Sequence, residues 1–204
     1  MKNMRQEIIY FGKLIYEKGY NASIDGNISV RLSEKEILIT ATGTRLGFLT
    51  EDDLVITDYD GNLLEGSRRA SSEKILHTNI YKQRPDVHAV IHAHAPASIA
   101  LSMLDIDIEH DLYAAMAPIP ITKFAVPSTE ESYEQMKPFI KAYNWGILRR
   151  HGVVTWEDDL LSAFLRLEGM EHFAKILMTA LAVKPISPLP ESDKKRLLKS
   201  WGLV

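Results

Sequence analysis

An α/β domain with a sheet held between two layers of helices, its strands paired antiparallel or mixed, is the fold class that this 204-residue chain predicts. Short strand-like runs alternate with helix-like ones along the whole length, without internal repeats or low-complexity tracts. Three of the strand-like runs fall within the first sixty residues, too close together for the crossover helices that parallel neighbours need. The composition, 46% hydrophobic and 25% charged, is that of an ordinary globular chain of one domain. The expected organisation is one domain over 1–204, with 185–204 as a C-terminal tail helix.

Residues 4–18 place Ile8, Phe11, Leu14 and Ile15 at helical spacing, and Gly19 follows as a stop. After Gly26-Asn27, the alternation of Ile28, Val30 and Leu32 with Ser29 and Arg31 reads as a strand. Ile37–Thr40 is a second strand running into Thr42-Gly43-Thr44, and Leu54–Thr57 a third, turned by Asp60-Gly61-Asn62. A helix over 72–83 precedes the strand Val87–His92, and Pro96 suits the first turn of a helix over 96–104. Residues 118–127 hold three prolines around a short apolar run and read as a strand with irregular ends. A helix over 129–143 and a strand over 146–148 lead to His151-Gly152. The longest helix is expected over 157–182, with a wide apolar stripe (Leu160, Leu161, Phe164, Leu167, Phe173, Leu177, Leu181) to bury against the sheet or a neighbouring subunit.

Composition also excludes. A formal net charge of −3 gives no support for a nucleic-acid or membrane-surface role. The absence of cysteine rules out disulfides and any thiolate-built zinc site, so a transition metal must be held by His, Asp and Glu. There is no uninterrupted apolar run of about 18 residues and no signal-like apolar stretch near Met1, so the expected location is cytoplasmic.

The chemistry gathers between Ser71 and His94. Side chains two apart on a strand share a face, roughly 6.6 Å apart along the backbone, so His92 and His94 can converge on one ion. His151, beside Gly152, is a third imidazole. His88 shares their parity but lies about 13 Å from His92, too far to share an ion with bonds of about 2 Å. His88, His110 and His172 therefore read as structural. Glu73 stands at a helix start yet fits neither capping-box register, because three residues beyond Ser71 or Ser72 come Lys74 or Ile75. Its carboxylate is therefore not taken by a capping box and either sits favourably on the helix dipole or is left for the site. His77, one turn later, reads as a buried support. Ser71 and Ser72 sit where free N–H groups favour an anion. With Thr42-Gly43-Thr44 and Gly26-Asn27 they suggest a phosphate pocket.

Gly26-Asn27-Ile28-Ser29, Thr40-Ala41-Thr42-Gly43, Ser71-Ser72-Glu73, His92-Ala93-His94 and His151-Gly152 together resemble, in order and spacing, the class II aldolase/adducin family, and most of all its L-fuculose-1-phosphate aldolase branch. The resemblance runs from about residue 5 into the tail. It implies one zinc ion per chain on His92, His94, His151 and Glu73, with Glu73 also an acid/base, and a phosphate held by Asn27, Thr42, Gly43, Ser71 and Ser72. It further implies a homotetramer in which Tyr113 reaches a neighbour's site as a catalytic residue. The implied reaction is retro-aldol cleavage of a ketose 1-phosphate (L-fuculose 1-phosphate or a 5-deoxypentulose 1-phosphate) to dihydroxyacetone phosphate and a small aldehyde. Sugar-phosphate 4-epimerases and a dehydratase branch share the ligands, and adducin-type interaction modules share the fold without them. The chain departs from the fuculose branch at Ala70, Leu112 and Trp201, where that branch carries proline, histidine and tyrosine.

Overall fold

The computed structural model describes residues 2–104, 119–185 and 189–200. Its strands are β1 (Asn27–Arg31), β2 (Glu36–Thr40), β3 (Leu54–Asp58), β4 (Leu63–Glu65), β5 (Ala89–Ala93), β6 (Trp145–Leu148) and β7 (Gly152–Glu157). The helices are α1 (Lys2–Glu17), α2 (Lys74–Gln83), α3 (Pro96–Leu101), α4 (Glu130–Ile140), α5 (Leu160–Val183) and α6 (Glu191–Ser200). All seven strands join one sheet in the order β4-β3-β2-β1-β5-β7-β6, and each neighbouring pair is antiparallel. Among the described residues, no helix is long and apolar enough to cross a membrane.

Apart from the exposed edge strand β4, the sheet is buried on both faces because its strands send alternate side chains into different cores. From β5, Ala89, Ile91 and Ala93 enter a core closed by Ile8, Phe11 and Ile15 of α1, Leu101 of α3 and Phe164, Leu167 and Phe173 of α5. Val90 points the other way, with Val154 and Trp156 of β7, into a core closed by Leu76 and Ile80 of α2 and Met136 and Ile140 of α4. This is the expected three-layer α/β/α arrangement. The parity has a consequence for function: His92, two residues from Val90, lies on the side of α2.

Several elements differ from the sequence-based expectations, each for a local reason. β7 was not expected at all. Its run Gly152-Val-Val-Thr-Trp-Glu has no alternation, being buried on both faces, and it leads with no loop signal into α5. Helix α5 starts at Leu160, not 157, because Asp159 caps it: its carboxylate accepts from Ser162 N–H at 2.6 Å. Of the predicted stripe, Leu161 is exposed while Leu160, Phe164, Leu167, Phe173 and Leu177 are buried. Strand β4 is three residues long and exposed throughout, so it leaves no burial pattern to read. The strand expected over 118–127 reduces, in its described part, to one parallel bridge between Ile121 and Ile147, since Pro120 and Pro127 cannot donate to a ladder. Helix α2 begins at Lys74 rather than 72, with Glu73 itself at the cap position.

Helix α3, which follows His94, hangs on one buried carboxylate. Glu171 of α5 is fully buried and accepts from Ala97 N–H at 3.0 Å, Ser98 N–H at 2.9 Å and the Ser98 hydroxyl at 2.8 Å. Glu171→Ala strands all three donors, and it is expected to cost about 3 kcal/mol of folding free energy. Urea unfolding of the two proteins at neutral pH measures the difference.

Candidate metal centre

Four side chains converge at one end of β5. Register brings them there: β1 places Asn27 opposite His92, and β7 places Val154 opposite His92 and Val153 opposite Ala93. His151 ends the β6–β7 connection, and Glu73 enters from the start of α2. Glu73 Oε2 lies 3.1 Å from His92 Nε2, Glu73 Oε1 lies 3.4 Å from His151 Nε2, and His92 Nε2 lies 3.1 Å from His94 Nε2. One donor atom from each residue falls within 4.8 Å of every other, so the group could hold a metal ion. The pairing of His92 with His94 was legible from parity alone; the approach of His151 depends on β7.

Two glycines make the approach possible. A Cβ on Gly152 would meet Ala93 O at 2.6 Å and His92 Cε1 at 2.7 Å, so any side chain there would push the imidazoles apart. Gly26 has φ +73, and a Cβ on it would strike the Asn21 amide and His92 O.

The ring orientations suit coordination. The His92 Nδ1–H donates to Val153 O at 3.0 Å, which leaves Nε2 facing Glu73. His94 is held at both ends: its backbone N–H donates to Asn21 Oδ1 at 2.6 Å, and its Nδ1 lies 3.6 Å from Asp25 Oδ2. Asn27 Nδ2–H donates to Glu73 Oε2 at 2.8 Å. Three imidazole nitrogens and one carboxylate, with no thiolate, are a donor set that fits zinc or another borderline divalent ion. Among the described residues, Asn27 Oδ1, His77 Nε2 and His151 Nδ1, buried beside this group, find no hydrogen-bond partner.

Charge balance in the group runs against burial. Burial alone would push the Glu73 carboxyl up, but the positive charge of His92 and the bond it donates hold the group well below the usual carboxylate range. Burial likewise disfavours the His92 cation, and the same pairing with Glu73 more than offsets it, so His92 is raised. The other imidazoles go the opposite way. Burial and the neighbouring His92 charge lower His94, and they bring His151 down to about 4. Fully buried His77 falls to about 3, with its Nδ1 2.7 Å from Ser29 Oγ.

The expected anion-binding residues line the same cleft, a space of about 270 Å³ whose walls include Asn27, Thr42, Gly43, Ser71, Ser72, Glu73, His94 and His151. An antiparallel bridge from Ala41 to Ala70 brings the two donor turns together, tied by Thr42 N–H to Arg69 O and Ser71 N–H to Thr40 O. Ser71 does not cap α2 as a conventional N-cap, although its Oγ accepts from Glu73 N–H at 3.2 Å. Asn21, Asp25, Pro127 and Ser128 were not anticipated. Asp25-Gly26 is visible as a turn, but nothing in it reveals a carboxylate beside His94. Tyr113, His110 and Trp201 lie outside the described residues. His88 is exposed and apart from the group, as expected.

Residues 6–178 match the family described as Class II Aldolase and Adducin N-terminal domain. The chain is 34% identical to the L-fuculose phosphate aldolase of Methanocaldococcus jannaschii, over 88% of this chain and 98% of that protein. It is 32% identical to the 3-oxo-tetronate 4-phosphate decarboxylase of Haemophilus influenzae, over 95% of both. It is also 30% identical to the methylthioribulose-1-phosphate dehydratase of Pseudomonas fluorescens, over 83% of this chain and 89% of that one. Among solved structures, an L-fuculose 1-phosphate aldolase superposes with a TM-score of 0.86 at 27% identity, covering 99% of this chain and 97% of that one. The chain belongs to the class II aldolase/adducin family.

His77 gives this centre an acid-sensitive foundation. Its folded value near 3 lies below the ordinary 6.5, so the unfolded chain takes up the proton first. The neutral form therefore stabilises the fold above about pH 6.5, and that contribution is lost as pH falls toward 3. In metal-free protein, His77→Gln should reduce the loss of stability between pH 7 and pH 4 by on the order of 3 kcal/mol. Urea titrations of both proteins at those two pH values check it.

Proposed function

We propose that this chain is a zinc-dependent aldehyde-lyase that cleaves a ketose 1-phosphate, such as L-fuculose 1-phosphate or a 5-deoxypentulose 1-phosphate, into dihydroxyacetone phosphate and a small aldehyde. One observation carries the reading. Glu73, His92, His94 and His151 converge in the cleft whose walls also carry Asn27, Thr42, Gly43, Ser71 and Ser72. Metal donors and anion donors therefore serve the same half of a substrate, as a ketone next to a phosphate requires.

In this reading His92, His94, His151 and Glu73 would hold the zinc, which would supply Lewis-acid polarisation of the ketone. Ser71, Ser72, Thr42 and the Gly43 backbone bind the phosphate, with the second amide hydrogen of Asn27. Among the described residues, no lysine lines the cleft, in keeping with a reaction that needs no Schiff base. Glu73 is ionised at neutral pH and its Oε2 is aimed by Asn27, so once substrate displaces it from the metal it can take up the proton that leaves the C4 hydroxyl and deliver it to C3 of the ketone half as the C3–C4 bond breaks. Tyr113 of an adjacent copy would serve the proton on the C4 hydroxyl. Ile24 and Pro127, which line the same cleft, offer apolar surface to a methyl-bearing aldehyde.

Dihydroxyacetone phosphate is expected when zinc-loaded protein meets L-fuculose 1-phosphate. Glu73→Gln should lower kcat by about 10²–10⁴-fold, and the His92→Ala/His94→Ala double variant should purify without stoichiometric metal. Epimerisation of L-ribulose 5-phosphate, loss of water or release of carbon dioxide, with no triose phosphate from any ketose 1-phosphate, would refute the aldolase reading. The names of the decarboxylase and dehydratase relatives make those the second choice.

The same reading makes the protein a cytoplasmic homotetramer. Supporting it, Leu161, Leu165, Ile176 and Val183 leave one side of α5 apolar and exposed. A tetrameric mass by light scattering is expected. Mixing inactive Tyr113→Phe and Glu73→Gln chains should restore part of the activity; a fully active monomer would contradict both.

A further inference from the structure

Ser128 occupies a turn that enters α4, at φ 63, in the left-handed region where a serine is uncommon. The turn is pinned on either side. Thr129 Oγ1–H donates to Val126 O at 2.7 Å, and Val126 N–H donates to Glu131 Oε2 at 3.1 Å. What the turn achieves is to bring Ser128 Oγ to 2.9 Å from Ser72 Oγ, across 56 positions of sequence. Both residues are exposed and both line the cleft of the candidate metal centre.

A bond between two accessible hydroxyls is readily exchanged for water, so it does not by itself account for an unfavourable backbone conformation. The placement of the second hydroxyl does. In the pair, one hydroxyl must donate to the other, so one hydrogen is spent internally. An anion with several acceptor oxygens lets both turn their hydrogens toward it, and such charge-assisted bonds are the stronger kind. The surroundings favour negative charge. Arg68, Arg69 and Lys74 line an adjoining hollow that shares Thr42 and Ser72 with the cleft. Arg68 is paired with Asp53, while Arg69 and Lys74 bring positive charge to the far side of the Ser72 hydroxyl.

We propose that Ser128 is a phosphate-contacting residue: with Ser72 it forms a two-hydroxyl clamp on the phosphate monoester of the substrate. This rests on the phosphate subsite proposed above and extends it to a segment outside the shared motifs.

The test uses inorganic phosphate as the probe, by calorimetry on metal-loaded wild type, Ser128→Gly and Ser128→Ala. Glycine accepts the left-handed backbone, so Ser128→Gly should fold and melt no lower than wild type. Both variants should bind phosphate about tenfold more weakly. With a ketose 1-phosphate, KM should rise by a similar factor while kcat and metal content stay unchanged. A phosphate Kd within twofold of wild type in Ser128→Gly, with a higher Tm, would show that the hydroxyl does nothing for the anion and overturn the proposal. Wild type that binds no phosphate would overturn it together with the phosphate subsite. Phosphate binding that depends on Ser128, in a protein that cleaves no ketose phosphate, would sustain it and refute the lyase reading alone.

Discussion

A buried carboxylate with no charge partner is untenable in a folded protein, and Glu73 is the residue around which this one resolves that problem. The solution is a polar seam between β1 and α2. Along β1, Asn27, Ser29 and Arg31 share one face, and along α2, Glu73, His77 and Tyr81 lie one turn apart. They pair rung by rung: Asn27 with the Glu73 carboxylate, Ser29 Oγ with His77 Nδ1, and the Arg31 guanidinium 4.9 Å from the Tyr81 ring centroid. Ser29 Oγ also lies 2.8 Å from the Tyr81 hydroxyl, and Arg31 donates to Tyr81 O and Val87 O, which ties the rungs together. Directional pairs of this kind fix the register of helix on sheet more sharply than apolar contact does, even with Asn27 Oδ1 and His77 Nε2 left without a partner among the described residues. The aim of Glu73 follows from that register.

The seam also sets the charge state of the centre. His92 is the imidazole nearest Glu73 Oε2 and is the one raised, while His94, His151 and His77 are all lowered. The pairing with Glu73 thus favours a proton on His92 over one on any of the neighbouring rings. Lowered, neutral imidazoles suit a divalent ion, which would bind through their lone pairs and would displace a proton held on His92.

Much of this was legible in the sequence, and the legible part has a common basis. Parity put His92 beside His94, helix-start geometry freed Glu73, and the alternation of Ser29 and Arg31 with Ile28 and Val30 was visible as a strand. Each inference used a period internal to one element. The misses involve relations between elements. Strand β7 is doubly buried and so carries no alternation, yet it is the strand that brings His151 and the Val153 carbonyl to His92. Asn21 and Asp25 act on His94 across more than sixty positions, through a loop whose composition signals only a turn. Ser128 reaches Ser72 because of a backbone conformation that serine does not announce.

The comparisons attach three reaction names, aldolase, decarboxylase and dehydratase, to relatives of nearly equal identity. Physical chemistry offers a reason why one scaffold serves all three. Each begins by placing a carbonyl against an electrophile and ends with a proton delivered or withheld at the neighbouring carbon. The floor of the cleft, formed by the seam and the three imidazoles, has little room to vary, because altering a rung exposes an unpaired buried group. What remains free to vary is the rim. Here it consists of Ile24 and Asp25 on one side and Pro127 and Ser128 on the other, all in turns outside the sheet. None of these residues belongs to the seam; Asp25 bears on the charge balance through His94, whereas Ile24, Pro127 and Ser128 can change without disturbing it. In the proposed reading, a choice among such reactions would therefore fall to the rim.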